Sequence, residues 1–481
     1  MNISMYSRSA STTVPAFAWP AVLGLAGVVV VVQSMAGLRG GYWFDEAYMV
    51  AVGRDHLAWG SADQPPMAPA LAAAAEWMAP GSLSLLRIPA VLATAGAVIV
   101  VALIAREFGG DRRAQVIAAG AQATALWVTF CGHWLTPYTL EPVQWVVLIW
   151  LLVRWIRIRD DRLLLGLGAV AGIALETKFQ VLLLGAVLFV AVAICGPREL
   201  LRRPMLWAGT GLALLIGLPT LLWQAAHDWP QLRMGSVVAS EADALYGGRV
   251  GVAVLLIVAA GVAGTVLALY GLWLLLRAPD LRCYRFLGVT VVALYVFFVV
   301  TAGRPYYLGG LYGVLFAAGA VGFQQRRLIK LRRTWLIWPA YVVSIVAAAA
   351  LLAVSARSTD SAAAHAITDR TVNAYNTLSA ADRSSTIIMG QSYIVAAYID
   401  VYTDLPPVYS TNRSYGYFAP PPDSARDVLY VGADTDELNP YFNECRKVIQ
   451  AGDNEQQVFL CTGRQQSWQE LWPRLRHLNV G

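Results

Sequence analysis

A chain of 481 residues that is 57% hydrophobic and 14% charged, with a mean hydropathy of +0.54, is too apolar for a soluble globular domain and reads as a polytopic membrane protein. Its net charge of +6 would suit a nucleic-acid binder, but the basic residues stand in short clusters between apolar segments, which argues against nucleic acid as a partner. The five cysteines show no zinc-ligand spacing.

After a short Ser/Thr-rich N-terminus, an apolar segment at about 15–37 precedes no cleavage site and reads as an anchor rather than a signal peptide. Further apolar segments follow at roughly 85–105, 114–132, 142–156, 163–177, 179–196, 205–226, 250–276, 286–302, 306–323 and 334–355. Each is near the ~20 residues of a spanning helix, giving about eleven spans. Alternate loops carry the basic residues: Arg106, Arg112 and Arg113; Arg154, Arg157, Arg159 and Arg162; Arg198, Arg202 and Arg203; Arg277, Arg282 and Arg285; and Arg326, Arg327, Lys330, Arg332 and Arg333. The loops between them hold only Arg39, Arg54, Lys178, Arg233, Arg249 and Arg304. The positive-inside rule therefore puts the N-terminus in the cytoplasm, and the 38–84 loop and everything beyond residue 355 outside, away from cytosolic nucleotides.

The 38–84 loop opens with Gly41-Tyr42-Trp43-Phe44-Asp45-Glu46-Ala47-Tyr48, two adjacent acids among aromatics directly after a membrane segment. Acids are costly at that depth and mark either a site or a solvated turn. Apolar stretches around 44–52 and 66–78 are too short to cross and are expected to lie along the interface. On such a helix Asp45 and Tyr48 share a face, while Glu46 is turned away by about 100°. Between the two stretches, Asp63-Gln64-Pro65-Pro66 reads as a helix start. Arg87 opens the second span, placed to snorkel to headgroups or to hold an anion.

The hairpin 132–142 contains His133 and a second acid, Glu141, which could face Asp45 across a cavity. A lone His without a second His nearby is a poor metal site. Lys178 stands at the outer end of the fifth span beside Glu176, a pair that also reads as an ordinary helix-end ion pair. The turn Gly303-Arg304-Pro305-Tyr306-Tyr307-Leu308 joins a cation to two phenols, which suits either a lipid-phosphate clamp or an aromatic belt with one Arg.

Beyond residue 355 the sequence turns polar, and short apolar runs at 386–389, 407–409, 428–431 and 457–460 alternate with helical stretches, as in a small α/β domain over 356–481. Cys445 and Cys461 could form a disulfide worth ~3 kcal/mol on a chain-entropy basis. The 415–422 segment, rich in Tyr and Pro, reads as a loop facing the membrane or an acceptor, or as a stiff connector.

In this order, Asp45-Glu46, Asp63-Gln64-Pro65-Pro66, Arg87-Ile88-Pro89, Phe108-Gly109-Gly110, Thr139-Leu140-Glu141, Glu176-Thr177-Lys178 and Arg304-Pro305-Tyr306-Tyr307-Leu308 resemble the bacterial GT-C glycosyltransferases of family 39. That group includes protein O-mannosyltransferases and the lipid A aminoarabinose transferase. The resemblance implies a polytopic all-α GT-C domain over 1–355 with an extracytoplasmic α/β cap, in the bacterial plasma (inner) membrane. It implies a polyprenyl-phosphate-linked sugar as donor and a cell-envelope acceptor at the outer face, with Asp45 as the catalytic base. Glu46, Tyr48, Gln64, Arg87, His133, Glu141, Lys178, Arg304, Tyr306 and Tyr307 are the expected substrate-binding residues, and a divalent cation could join them. The chain departs from the commoner pattern at Glu141, where Asp is usual, and at Gln64, where Lys often precedes the two prolines. A transporter or flippase of a lipid-linked sugar is the rival reading; it would favour internal repeats and midplane charges, and the chain shows neither.

Overall fold

Helices account for all eleven apolar segments, although not all of them as full-length rods. The computed structural model describes residues 14–329, 335, 337–359, 361–449 and 456–479; the expected basic residues Lys330, Arg332 and Arg333 and most of the Ser/Thr-rich N-terminus lie outside the described residues. In chain order the helices are α1 (Trp19–Gly37), α2 (Phe44–Asp55), α3 (Met67–Met78), α4 (Leu83–Glu107), α5 (Arg112–Ala123), α6 (Leu126–Cys131), α7 (Pro137–Ile158) and α8 (Arg162–Leu175). They continue with α9 (Gln180–Cys195), α10 (Pro204–Ala226), α11 (Pro230–Tyr246), α12 (Gly248–Val258), α13 (Val262–Arg277), α14 (Arg285–Val300), α15 (Tyr312–Leu328) and α16 (Ile337–Ser358).

Among the described residues, six helices are long and apolar enough to cross a membrane, and the α12–α13 pair, bent by 93°, makes a seventh if counted as one span. The other expected spans are shorter: α8, α9 and α15 have 14, 16 and 17 residues, and the 114–132 segment is split into α5 and α6, of 12 and 6 residues. Two broken segments meet at their breaks, where the Leu126 N–H that opens α6 donates to the Ala259 carbonyl that closes α12, at 2.9 Å. Each break frees backbone groups that lipid cannot satisfy, so pairing them removes the cost. Gly261, at φ +77°, is required there, because a Cβ would lie 2.8 Å from the Thr124 carbonyl oxygen. Large apolar side chains such as Leu215 and Val346 stay more than 60% exposed on the outer helix faces. In water they would be a liability, whereas here they form the lipid-facing surface of a multi-pass membrane protein.

α2 is enclosed rather than open on one face. Ala47 to Val52 are buried, and Gly53 lets α2 pack against α3 so closely that a Cβ would meet the Pro69 carbonyl oxygen at 2.3 Å. Trp77 and Met78 at the end of α3 are exposed.

α2 is buried by α3 and by the C-terminal domain. That domain contains α17 (Ala362–Thr377), α18 (Ala380–Ser385), β1 (Thr386–Gly390), α19 (Tyr393–Tyr402), β2 (Val408–Tyr409), β3 (Asp427–Gly432), β4 (Phe442–Ile449), β5 (Gln457–Arg464) and α20 (Trp468–Leu475). The sheet order is β2-β1-β3-β5-β4, with β1 parallel to β2 and β3, and β5 antiparallel to β3 and β4. The four expected strands are present, and β4 is an addition. Its polar, charged residues mask it in sequence, as befits an edge strand. Cys445 on β4 faces Cys461 on β5, and the two are joined in a disulfide. Tyr48, Ala51 and Ala72 share one apolar core with Ile388, Tyr393, Ala397 and Leu429, so the domain sits directly on the helices as a cap. The 415–422 segment is neither a membrane-facing loop nor a free connector at its start: Tyr415 is buried and bonds Asp400, and Phe418 stacks on His56 at 3.9 Å.

Candidate active site

Asp45 sits in the first turn of α2, where the exposed N–H groups favour an acid. Its two oxygens accept from two phenols: Tyr138 on α7 at 3.1 Å and Tyr393, the first residue of α19 in the cap, at 3.2 Å. Among the described residues no cation forms an ion pair with it. Burial lifts its pKa to about 6 against the opposing pull of the two phenol bonds, and nearby Asp63 adds to the rise. A carboxyl poised there can take a proton near neutral pH.

On the same face of α2, the Tyr48 hydroxyl donates to Asp63 Oδ1 at 2.8 Å, and Ser414 Oγ of the cap donates to the same oxygen at 2.6 Å. Arg413 Nη1 lies 3.9 Å from Asp63 Oδ2, and its guanidinium sits 5.7 Å from the centre of the Tyr393 ring. The acid of the Asp63-Gln64 motif therefore reaches the site. Gln64 shapes the turn through its backbone, accepting from Ser61 N and Oγ at 2.9 Å.

A second wall is cationic and aromatic. Lys178 Nζ is 3.6 Å from Glu141 Oε2 and lies over the rings of Tyr306 and Tyr307 at 4.8 and 4.6 Å. Its partner is thus Glu141 and not Glu176, which accepts from Thr220 at 2.6 Å. Burial lowers the Lys178 pKa, with Glu141 opposing the shift. The Tyr306 ring lies 5.1 Å from that of Tyr138, which links this wall to Asp45. Arg304 bonds Glu241 of α11, whose other oxygen accepts from Arg413 Nη2 at 2.9 Å. Lys178 Nζ, Arg304 Nη1, Arg413 Nε and Glu141 Oε1 are buried without a hydrogen-bond partner among the described residues. The fold thus brings Asp45, Tyr48, Glu141, Lys178, Arg304, Tyr306 and Tyr307 into one cluster beneath the cap.

Glu46, Arg87 and His133 point elsewhere. Arg87 donates to Glu46 Oε2 at 2.5 Å, to the Gly37 carbonyl at 2.6 Å and to the Gly41 carbonyl at 2.9 Å. Glu46 also accepts from Trp43 N at 3.0 Å and Leu135 N at 3.1 Å, so its carboxylate is fully occupied. His133 is buried, with Nδ1 2.9 Å from Gln33 Oε1. These contacts tie α1, α2, α4 and the 132–136 turn together and engage all three side chains.

Five residues of the cluster were not singled out from sequence. Asp63 and Tyr138 stand inside motifs that were, one position from Gln64 and three from Glu141. Tyr393, Glu241 and Arg413 carry no local signal. Among the described residues no group of three or more His, Cys, Asp or Glu could hold a metal ion.

A sequence model of the family described as dolichyl-phosphate-mannose-protein mannosyltransferase matches residues 63–223, a stretch that starts at Asp63 and includes Glu141 and Lys178. Among solved structures, the chain is similar to ArnT from Cupriavidus metallidurans bound to undecaprenyl phosphate, with a TM-score of 0.66 at 14% identity over 92% of this chain and 97% of that one. It also resembles the arabinofuranosyltransferase AftD from Mycobacteria, with a TM-score of 0.51 at 14% identity over 95% of this chain and 40% of that one. The Archaeoglobus fulgidus oligosaccharyltransferase in complex with Zn and sulfate gives a TM-score of 0.51 at 14% identity, over 85% of this chain and 68% of that one. No curated protein sequence matches significantly. Identities this low speak to the fold alone: the chain shares the fold of ArnT over nearly the whole of both chains, and the mannosyltransferase family model matches residues 63–223 within it.

Proposed function

We propose that the protein transfers a hexosyl or pentosyl group from a polyprenyl-phosphate-linked donor to a hydroxyl of a cell-envelope glycan, lipid or protein, at the cap side of the bacterial inner membrane. The cap side is the outer face on this reading, because the basic loops lie at the opposite ends of the helices. ArnT, the structural relative with the highest TM-score quoted above, was solved with undecaprenyl phosphate, which supports that class of donor.

Asp45 takes the proton of the acceptor hydroxyl as its oxygen attacks the anomeric carbon; the bond from that carbon to the phosphate oxygen breaks, and the lipid phosphate leaves with the electron pair. Negative charge growing on the leaving phosphate is met by Lys178 and Arg304, whose unpartnered N–H groups lie in a buried, water-poor wall. The rings of Tyr306 and Tyr307 both face the Lys178 ammonium, and Glu141 orients it. A single displacement of this kind inverts the sugar carbon.

The observation that carries this reading is Asp45 itself: a carboxylate held by two phenols, with no paired cation, beside a wall of cations with spare donors. The test is sugar transfer from synthetic polyprenyl-phosphate sugars in proteoliposomes. Asp45→Asn should lose on the order of 10³-fold in rate while still binding undecaprenyl phosphate. Transfer unchanged by the substitution would end the assignment of the base, and movement of the lipid-linked sugar across the bilayer without any new glycosidic bond would favour a flippase.

A further inference from the structure

Arg413 holds an unusual backbone position. It opens the turn Arg413–Tyr417 at φ +54°, a left-handed conformation that a side chain with a Cβ adopts only where its surroundings hold it. The holding groups come from three directions. Its N–H donates to the His477 carbonyl at 2.9 Å, Nη2 donates to Glu241 Oε1 at 2.9 Å, and Asp63 Oδ2 lies 3.9 Å from Nη1. The residue is buried, and its Nε has no partner.

Glu241 divides its two oxygens. Oε1 takes Arg413 from the cap, while Oε2 takes Arg304 from the loop between α14 and α15. One carboxylate from α11 thereby fixes the spacing of two guanidinium groups that are distant in sequence. Neither group is spent, because Arg304 Nη1 and Arg413 Nε remain unpartnered. Buried cationic donors left unpaired are costly, and the ligand that best relieves the cost is an anion with several oxygens. Planar guanidinium groups match phosphate in this way.

We propose that Arg413 and Arg304, spaced by Glu241, form a two-arginine seat for the phosphate of the lipid-linked donor, and that the seat is complete only when the cap is docked. Glu241 is the positioning residue. The proposal rests on the reading that the donor is a lipid phosphate, but it makes a separate demand: a cap residue must contribute to phosphate affinity.

The experiment measures binding of undecaprenyl phosphate to the full-length protein in detergent, together with donor KM and kcat. Arg413→Gln should weaken lipid-phosphate binding about tenfold and raise KM more than it lowers kcat; Arg413→Lys, which restores the charge without the fork, should recover part of that loss. Glu241→Gln should weaken binding by a smaller factor, and Glu241→Asp should lie between it and the wild type. Asp45→Asn should show the opposite split, with kcat lost and binding kept. Equal binding by wild type, Arg413→Gln and Glu241→Gln would overturn the seat even if sugar transfer is intact. Wild-type protein that binds undecaprenyl phosphate in an Arg413-dependent way yet transfers no sugar would support the seat and strike the transferase reading alone. Competition by inorganic phosphate as effective as that of the lipid would overturn the lipid as the source of the anion.

Discussion

Asp45 and Glu46 are neighbours in sequence and opposites in environment. Glu46 is fully buried against Arg87 and receives two backbone N–H groups besides, so every oxygen is used and its charge is matched. Asp45 has two phenols and no cation, and burial raises its pKa to about 6. A single residue step of about 100° along the helix sends them to different places: Glu46 back toward α4, Asp45 toward the cap. A satisfied carboxylate is part of the frame, and an under-compensated one beside a cationic wall is available for chemistry. On the proposed function, the two-acid motif divides into a structural half and a reactive half.

The sharpest way to break this contrast is to remove each charge in turn. Glu46→Gln leaves Arg87 as a buried cation without its counter-ion and should cost about 3–5 kcal/mol of stability, read as a lower melting temperature in detergent. Arg87→Ala should do the same, and the double variant should be less destabilised than the sum of the two because the groups act as a unit. Asp45→Asn should behave differently. The folded-state pKa of Asp45 lies above its ordinary 3.8, so ionising it works against the folded protein, and that cost builds as pH rises from about 4 to about 6. At pH 7 the Asn variant should therefore melt no lower than wild type while losing transfer. If Glu46→Gln melts like wild type and loses donor binding instead, Glu46 belongs to the site and the contrast fails.

How much of this was legible in the sequence follows from how local each signal is. The apolar segments, the Asp45-Glu46 motif and four strands are written in contiguous residues, and the turn of about 100° per residue already separated Asp45 from Glu46. The burial of α2 was not legible, because its partner α19 lies hundreds of residues away. Tyr393 reaches Asp45 across 348 positions, and Arg413 reaches Glu241 across 172. No pattern near any of these residues announces the meeting. The bonds of Arg87 to Glu46 and of His133 to Gln33 were not legible either, because a buried charge and a lone His carry the same sequence signature whatever they bind. The broken pairs α5–α6 and α12–α13 read as single spans because hydropathy averages across a break.

A smaller effect refines the Asp45 side of the contrast. The Tyr393 hydroxyl donates to Asp45 from the cap, and such a bond favours the ionised carboxylate. Transfer by the wild type should therefore rise with pH along an acid limb centred near 6, as Asp45 loses its proton and becomes able to act as base. Tyr393→Phe removes the bond but keeps the ring, so the Asp45 pKa should climb and the acid limb should move to higher pH. At pH 6 the variant should be slower than wild type by about tenfold at most, and the gap should narrow on the alkaline plateau, where both carboxylates are ionised. Asp45→Asn should show no such limb at its residual rate. A Tyr393→Phe limb that stays in place would mean the cap phenol does not tune the base, and a shift to lower pH would mean that in solution the phenol holds the protonated acid instead.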